Sequence, residues 1–184
     1  MKKCVFILSV ATVVLFVFTA CGLERGAETP TDEEIETAYQ NAVEAYIWFD
    51  METMPALMDD VALDENGNTF FKVNHDEINT FAGLEAYLQG IFTEDIVSYL
   101  LDRQLYRDFD GTLYVMGGSR GGDITRGAET HEIVRESDQR IIYRVTVDIL
   151  DWDTLEEVID TVAYDFDYIL VDGNWLFANF NLTR

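Results

Sequence analysis

The spacing of apolar residues changes once along this chain, and that change limits what it can fold into. Up to Arg103 the apolar positions recur at helical spacing. Ile35, Tyr39, Ala42, Val43, Tyr46, Ile47 and Phe49 form one stripe, and Phe81, Leu84, Tyr87, Leu88 and Ile91 form a second. Ile96, Val97, Leu100 and Leu101 make a third. Beyond Arg103 the period becomes two, in segments rich in β-branched and aromatic residues. A helix buries a stripe and a strand buries every second residue, so N-terminal helices must pack on a sheet supplied mainly by the second half. Helices first and strands later define an α+β domain.

Local signals place the elements. Thr31-Asp32-Glu33-Glu34 behind Pro30 reads as a capping box, and Thr80 and Thr93 read as caps of two later helices. Met54, Leu57 and Met58 suggest a further helical piece over residues 52–59, with Pro55 tolerated only in its first turn. Residues 61–68 then form a polar loop turning at Asn66-Gly67, and residues 69–73 (TFFKV) a short strand. Asp110-Gly111 between residues 104–107 and 112–116 is a hairpin signal. Residues 117–122 (GGSRGG) form a loop. Further strands are expected over 132–135, 140–150 and 158–171, with Asp172-Gly173 turning the chain into a last one over 175–182. The N-terminal helices are expected to pack against a curved antiparallel sheet of about five or six strands. This element order is compatible with a cystatin/NTF2-like layout.

Composition narrows the function classes. The chain has 184 residues, with 35 acidic against 12 basic side chains and a formal charge of −23. Its 48% apolar content is enough to offset the entropy of ordering a domain of this length, so disorder is not expected. A strongly anionic surface repels phosphate, which excludes nucleic acid as a partner. Two cysteines and two histidines cannot furnish a zinc ribbon or a disulfide-stapled scaffold.

Residues 1–20 carry an address. Lys2 and Lys3 precede an uncharged apolar run from Val5 to Ala20, short for a membrane span and suited to the h-region of a secretory signal. Phe18-Thr19-Ala20-Cys21-Gly22 resembles the lipobox of bacterial lipoproteins, with Phe18 in place of the usual leucine. That resemblance implies cleavage before Cys21 and attachment of lipid to it. Residues 21–29 are then the lipidated cysteine and a polar tether, and residues 30–184 a single domain held at the extracytoplasmic face of the cell membrane. Cys4 leaves with the signal, so no free thiol remains, and the loss of two lysines brings the charge to −25.

No constellation in the domain compels an enzyme. His75 and His131 stand alone, without metal-spaced partners, and neither an HExxH helix nor a GxSxG elbow is present. Asp64-Glu65-Asn66-Gly67-Asn68 has its glycine at the fourth position and His75 where a calcium loop needs its twelfth-position glutamate, so it reads as a turn. Asp148, Asp151 and Asp153 around Trp152 form one acidic cluster, and Asp165 and Asp167 another on the wet face of a strand. Both read as solvated sheet surface. No cofactor and no metal site is expected. The loop Gly117-Gly118-Ser119-Arg120-Gly121-Gly122-Asp123 lacks the GK[ST] ending of a phosphate loop. Its glycines imply unusual backbone angles or close approach, and binding residues concentrate on loops carried by rigid scaffolds. Arg120, Gly121, Gly122 and Asp123 are therefore the candidate partner-binding residues.

The segment from Phe70 to Arg126 adds a family likeness. Phe70-Phe71-Lys72-Val73, Leu84-Glu85-Ala86-Tyr87-Leu88 and Ile91-Phe92-Thr93 are followed by Asp110-Gly111-Thr112-Leu113-Tyr114 and Arg120-Gly121-Gly122-Asp123. This order, with the late Trp175-Leu176-Phe177, resembles the IseA-type DL-endopeptidase inhibitor family of Gram-positive bacteria. The resemblance implies an exported, acidic protein without enzymatic activity. It would bind the catalytic domain of an NlpC/P60-type cell-wall endopeptidase and block its active-site groove. The alternative is an NTF2-like small-molecule-binding lipoprotein, in which helices and curved sheet enclose a pocket lined by Tyr, Phe and Trp.

Overall fold

The computed structural model describes residues 28–184. The signal segment, Cys21 and all but the end of the tether lie outside the described residues. Helix α1 (Asp32–Asp50) begins as its sequence dictates. The Thr31 hydroxyl accepts from the Glu34 N–H at 3.3 Å, while the Glu34 carboxylate accepts from the Thr31 N–H at 2.7 Å. Its buried stripe of Ile35, Tyr39, Ala42, Ala45, Tyr46, Trp48 and Phe49 faces two sheets at once. No helix among the described residues is long and apolar enough to cross a membrane.

The strands divide into two four-stranded antiparallel sheets, in place of one sheet of five or six strands. The first holds β1 (Ala56–Leu63), β2 (Thr69–Val73), β4 (Thr112–Met116) and β3 (Tyr106–Phe109), in that order. The second runs β5 (Arg126–Ser137), β6 (Arg140–Leu150), β7 (Val158–Val171) and β8 (Asn174–Phe177). The glycine-bearing segment between β4 and β5 separates the sheets. It interrupts the ladder, and the chain resumes in a different layer. The sheets are open and form no closed barrel.

Between α1 and β2 the sequence expectation is overturned. Residues 56–63 are strand β1, not helix, and β1 also absorbs the first part of the expected loop over 61–68. Met54 is buried, but Met58 is 69% exposed, so the helical spacing of these apolar residues marks no buried stripe. Pro55 disfavours helical geometry at Met54. The Tyr106 hydroxyl then fixes the extended path, accepting from the Met54 N–H at 3.0 Å and donating to the Trp48 carbonyl at 2.9 Å.

Helices α2 (Phe81–Gln89) and α3 (Glu94–Leu101) follow β2. The Thr80 hydroxyl caps α2 by accepting from the Gly83 N–H, whereas Thr93 sits at the cap position of α3 without a side-chain cap bond. Its backbone N–H instead donates to the Phe177 carbonyl, tying the α2–α3 corner to the edge of β8. The expected last strand stops at Phe177. Beyond it the Asn179 side chain takes the place of a strand, accepting from the Asp167 N–H and donating to the Asp165 carbonyl. Strand β5 is longer than its expected 132–135 core, because it pairs with β6 along almost its whole length.

One continuous core joins the layers. Tyr39 stacks on Tyr143 of β6 with ring centroids 4.4 Å apart and lies against Phe166 of β7. Phe49, at the far end of α1, packs on Tyr106 of the first sheet at 5.0 Å. Leu113, Val115, Val145, Phe166 and Phe177 complete the same core from both sheets. On the opposite face of the second sheet, Arg144 makes a two-point pair with Asp165, and Arg140 bridges Asp167 and Glu136. Asp165 and Asp167 thus lie on the wet face, with Phe166 and Tyr168 buried behind them.

Candidate binding surface

The direction of the second sheet relative to α1 is fixed by contacts at both ends. Arg135 near the end of β5 pairs with Asp32 in the first turn of α1, and across the ladder Arg135 faces Ile141. From Ile141 to Leu150 strand β6 rises about 30 Å at ~3.4 Å per residue. The 19 residues of α1 span about 28 Å. Leu150 therefore reaches the C-terminal end of the helix. There the Leu150 N–H donates to the Thr125 carbonyl at 2.7 Å, and the Arg120 N–H donates to the Met51 carbonyl at 2.6 Å. The glycine loop, the start of β5 and the β6–β7 connection consequently gather at one end, opposite the N-terminus of α1.

Arg120, Gly121, Gly122 and Asp123 occupy that end as an exposed loop, but they differ in what they offer. Arg120 makes no ion pair with its side chain among the described residues, while its backbone is pinned to Met51. Asp123 is engaged internally. Its carboxylate accepts from the Thr125 hydroxyl at 2.7 Å, the Thr125 N–H at 3.0 Å and Arg126 Nε at 3.2 Å. The Thr125 bonds, then the Arg126 guanidinium, hold its carboxyl below the usual carboxylate range. Asp123 therefore shapes the loop, while Arg120, Gly121 and Gly122 stay exposed. Close approach explains Gly117, where a Cβ would lie 2.9 Å from the Phe71 ring, but not Gly118 or Gly121, where it would meet nothing within 4 Å.

In the neighbouring segment, sequence reasoning found the acidic cluster around Trp152 but missed the exposed apolar side chains. Every residue from Trp152 to Thr161 is exposed, including the first four of β7, so the end of the sheet projects beyond anything that covers either face. The connection is nonetheless ordered. The Asp151 carboxylate accepts from the Asp153 and Thr154 N–H groups, and the Asp151 N–H donates to the Glu157 carbonyl. Leu155 sits at φ +54, a conformation unfavourable for a branched side chain. Trp152 is 66% exposed, with Val158, Ile159 and Ile124 at half or more. The only sequence signal for this surface is the interleaving of apolar and acidic residues in residues 151–160 (DWDTLEEVID).

The remaining candidates make local bonds and packing contacts. Asp64 closes the β1–β2 turn by accepting from the Asn66 and Asn68 N–H groups and the Asn68 amide, and it pairs with Arg107 at 3.2 Å. Those bonds, the Asn68 amide first, pull its carboxyl below the usual range. No grouping of three or more metal-binding side chains occurs among the described residues. His75 Nδ1 accepts from the Glu77 and Ile78 N–H groups, so that nitrogen is the acceptor of a local turn. His131 lies beside the stacked Tyr39–Tyr143 pair, 5.6 Å from each ring. The histidines touch α1 at Trp48 and Tyr39, about 13 Å apart along the helix, and share no site. Burial, and then the nearby Glu36 and Glu129 carboxylates, pushes the Tyr143 hydroxyl up to about 12. Most core aromatics, among them Tyr39, Phe166, Phe177 and Phe180, pack on one another. Open depressions of about 620 Å³ at Met51, Gly122, Asp123 and Ile124 and of about 660 Å³ at Val43, Ile47, Trp48 and Pro55 lie on the surface, whereas the space beside the core aromatics Trp175, Tyr168 and Phe177 is only about 60 Å³. No protein-family model matches the chain, and no curated protein matches it.

Proposed function

We propose that this chain is an extracytoplasmic lipoprotein, anchored through Cys21, that binds and inhibits NlpC/P60-type peptidoglycan DL-endopeptidases and has no catalytic activity of its own. The observation that carries the reading is the exposed Arg120-Gly121-Gly122 loop, held by its backbone against the end of α1 at the margin of an acidic, rigid sheet. A loop of this kind presents main-chain groups and one free guanidinium to a groove without needing to fold on contact. The packing of α1 across the longer sheet supports a cystatin/NTF2-like layout for that half. The self-packed aromatics favour the inhibitor over the small-molecule alternative.

The test is a titration of the full chain, in non-ionic detergent, into peptidoglycan digestion by a purified NlpC/P60 endopeptidase of the same organism. Stoichiometric inhibition is expected. It should weaken as salt rises, because the charge of −25 on the chain without its signal steers encounter with a basic groove. Undiminished digestion at molar excess across that organism's set of such enzymes would overturn the reading.

A further inference from the structure

The β6–β7 end contains apolar side chains that the fold has no use for. We propose that Trp152, Leu155, Val158 and Ile159, with Ile124 beside them, form a docking surface that enters an apolar cleft rimmed by lysine and arginine on a protein partner. This inference rests on the reading above, in which the partner is the catalytic domain of a cell-wall endopeptidase. It goes beyond that reading by moving the anchor from the glycine loop to the sheet end.

Three features choose the occupant. Trp152 and Leu155 stand in the β6–β7 turn and Val158 and Ile159 at the start of β7, where the rest of the described chain leaves them 39–66% exposed. Asp151, Asp153, Glu156, Glu157 and Asp160 stand between them, and residues 151–161 contain no basic side chain. An apolar centre ringed by carboxylates matches a cationic rim around an apolar floor, and the charge repels a second copy of the same chain. The third feature is position. The described chain enters at the N-terminus of α1, about 28 Å of helix away from Met51 and the sheet end. A tether at the N-terminus therefore leaves this surface directed away from its point of attachment. A membrane surface is disfavoured by the same carboxylates, since anionic headgroups repel them.

Trp152 is the expected dominant contact, because exposed aromatic anchors that become buried carry most of the energy of an interface. The experiment compares the full chain, Trp152→Ala, Val158→Ser and Arg120→Ala in detergent. It measures inhibition of the purified endopeptidase and binding to its catalytic domain, with circular dichroism reporting fold. In parallel the same proteins are tested for flotation with phosphatidylglycerol and phosphatidylcholine vesicles. Trp152→Ala should fold normally and lose about thirtyfold in affinity, with Val158→Ser losing less. Wild-type affinity in both tip variants, with a loss confined to Arg120→Ala, would overturn this inference and leave the inhibitor reading standing. Absence of binding by the wild-type chain would overturn both. Trp152-dependent flotation without enzyme binding would show a membrane-facing surface instead, and would also overturn it.

Discussion

At the scale of single residues, Tyr106 does what no sequence pattern announces. Its hydroxyl joins the end of α1 to the first residues of the crossover, bonding Trp48 and Met54 within the core. Burial pushes its ionisation well above the ordinary tyrosine range, so it stays a donor at every physiological pH. Tyr106→Phe would leave the Met54 N–H without its acceptor in a dry site. The expected cost is about 1–3 kcal/mol, read as a lower urea midpoint at unchanged slope. Asp123 shows how a candidate contact residue can also serve the loop itself. Its carboxylate accepts three bonds from Thr125 and Arg126 and still leaves 44% of the side chain exposed. Which of two polar neighbours faces a partner depends on bonds made a few residues away, and those depend on backbone angles that composition does not set.

At the scale of elements, the legible parts were those governed by neighbours in sequence. The capping box at Thr31, the cap at Thr80 and the turns at Asp110-Gly111 and Asp172-Gly173 are all present, because each needs only a few consecutive residues. In the β3–β4 turn Asp110 has φ +53 and Gly111 φ +80, and the Asp108 carboxylate accepts from the Gly111 N–H. Gly111→Ala places a Cβ in the left-handed region and should cost about 1 kcal/mol in unfolding free energy, with no change in circular dichroism. Strand β1 was illegible for the converse reason. Met54, Leu57 and Met58 fit a helical period, and the choice was made by the pairing partner β2 and by Tyr106, both distant in sequence. The division into two sheets was equally hidden, since period-two alternation specifies a face but not which sheet the face belongs to.

At the scale of the whole molecule, two quantities set the geometry of the exposed end: how far the second sheet extends relative to α1, and where the charge lies. Neither is local. The sequence offered the glycine loop and the acidic cluster around Trp152 as separate features, far apart in the chain. The fold brings them together, because β5 starts beside the end of β6 at the Thr125–Leu150 bond. Exposure of Trp152 follows from the sheet outreaching the core beneath it, a comparison of lengths across elements that no motif encodes. The glycine loop and the sheet end form one surface, turned away from the N-terminus of α1 and rich in carboxylates. The most direct measurement is amide hydrogen exchange of the full chain, free and bound to the endopeptidase catalytic domain. Slowed exchange confined to residues 117–125 and 150–161 is the expected result. Slowed exchange at the β5–β6 turn or along α1, with the sheet end unchanged, would contradict the account.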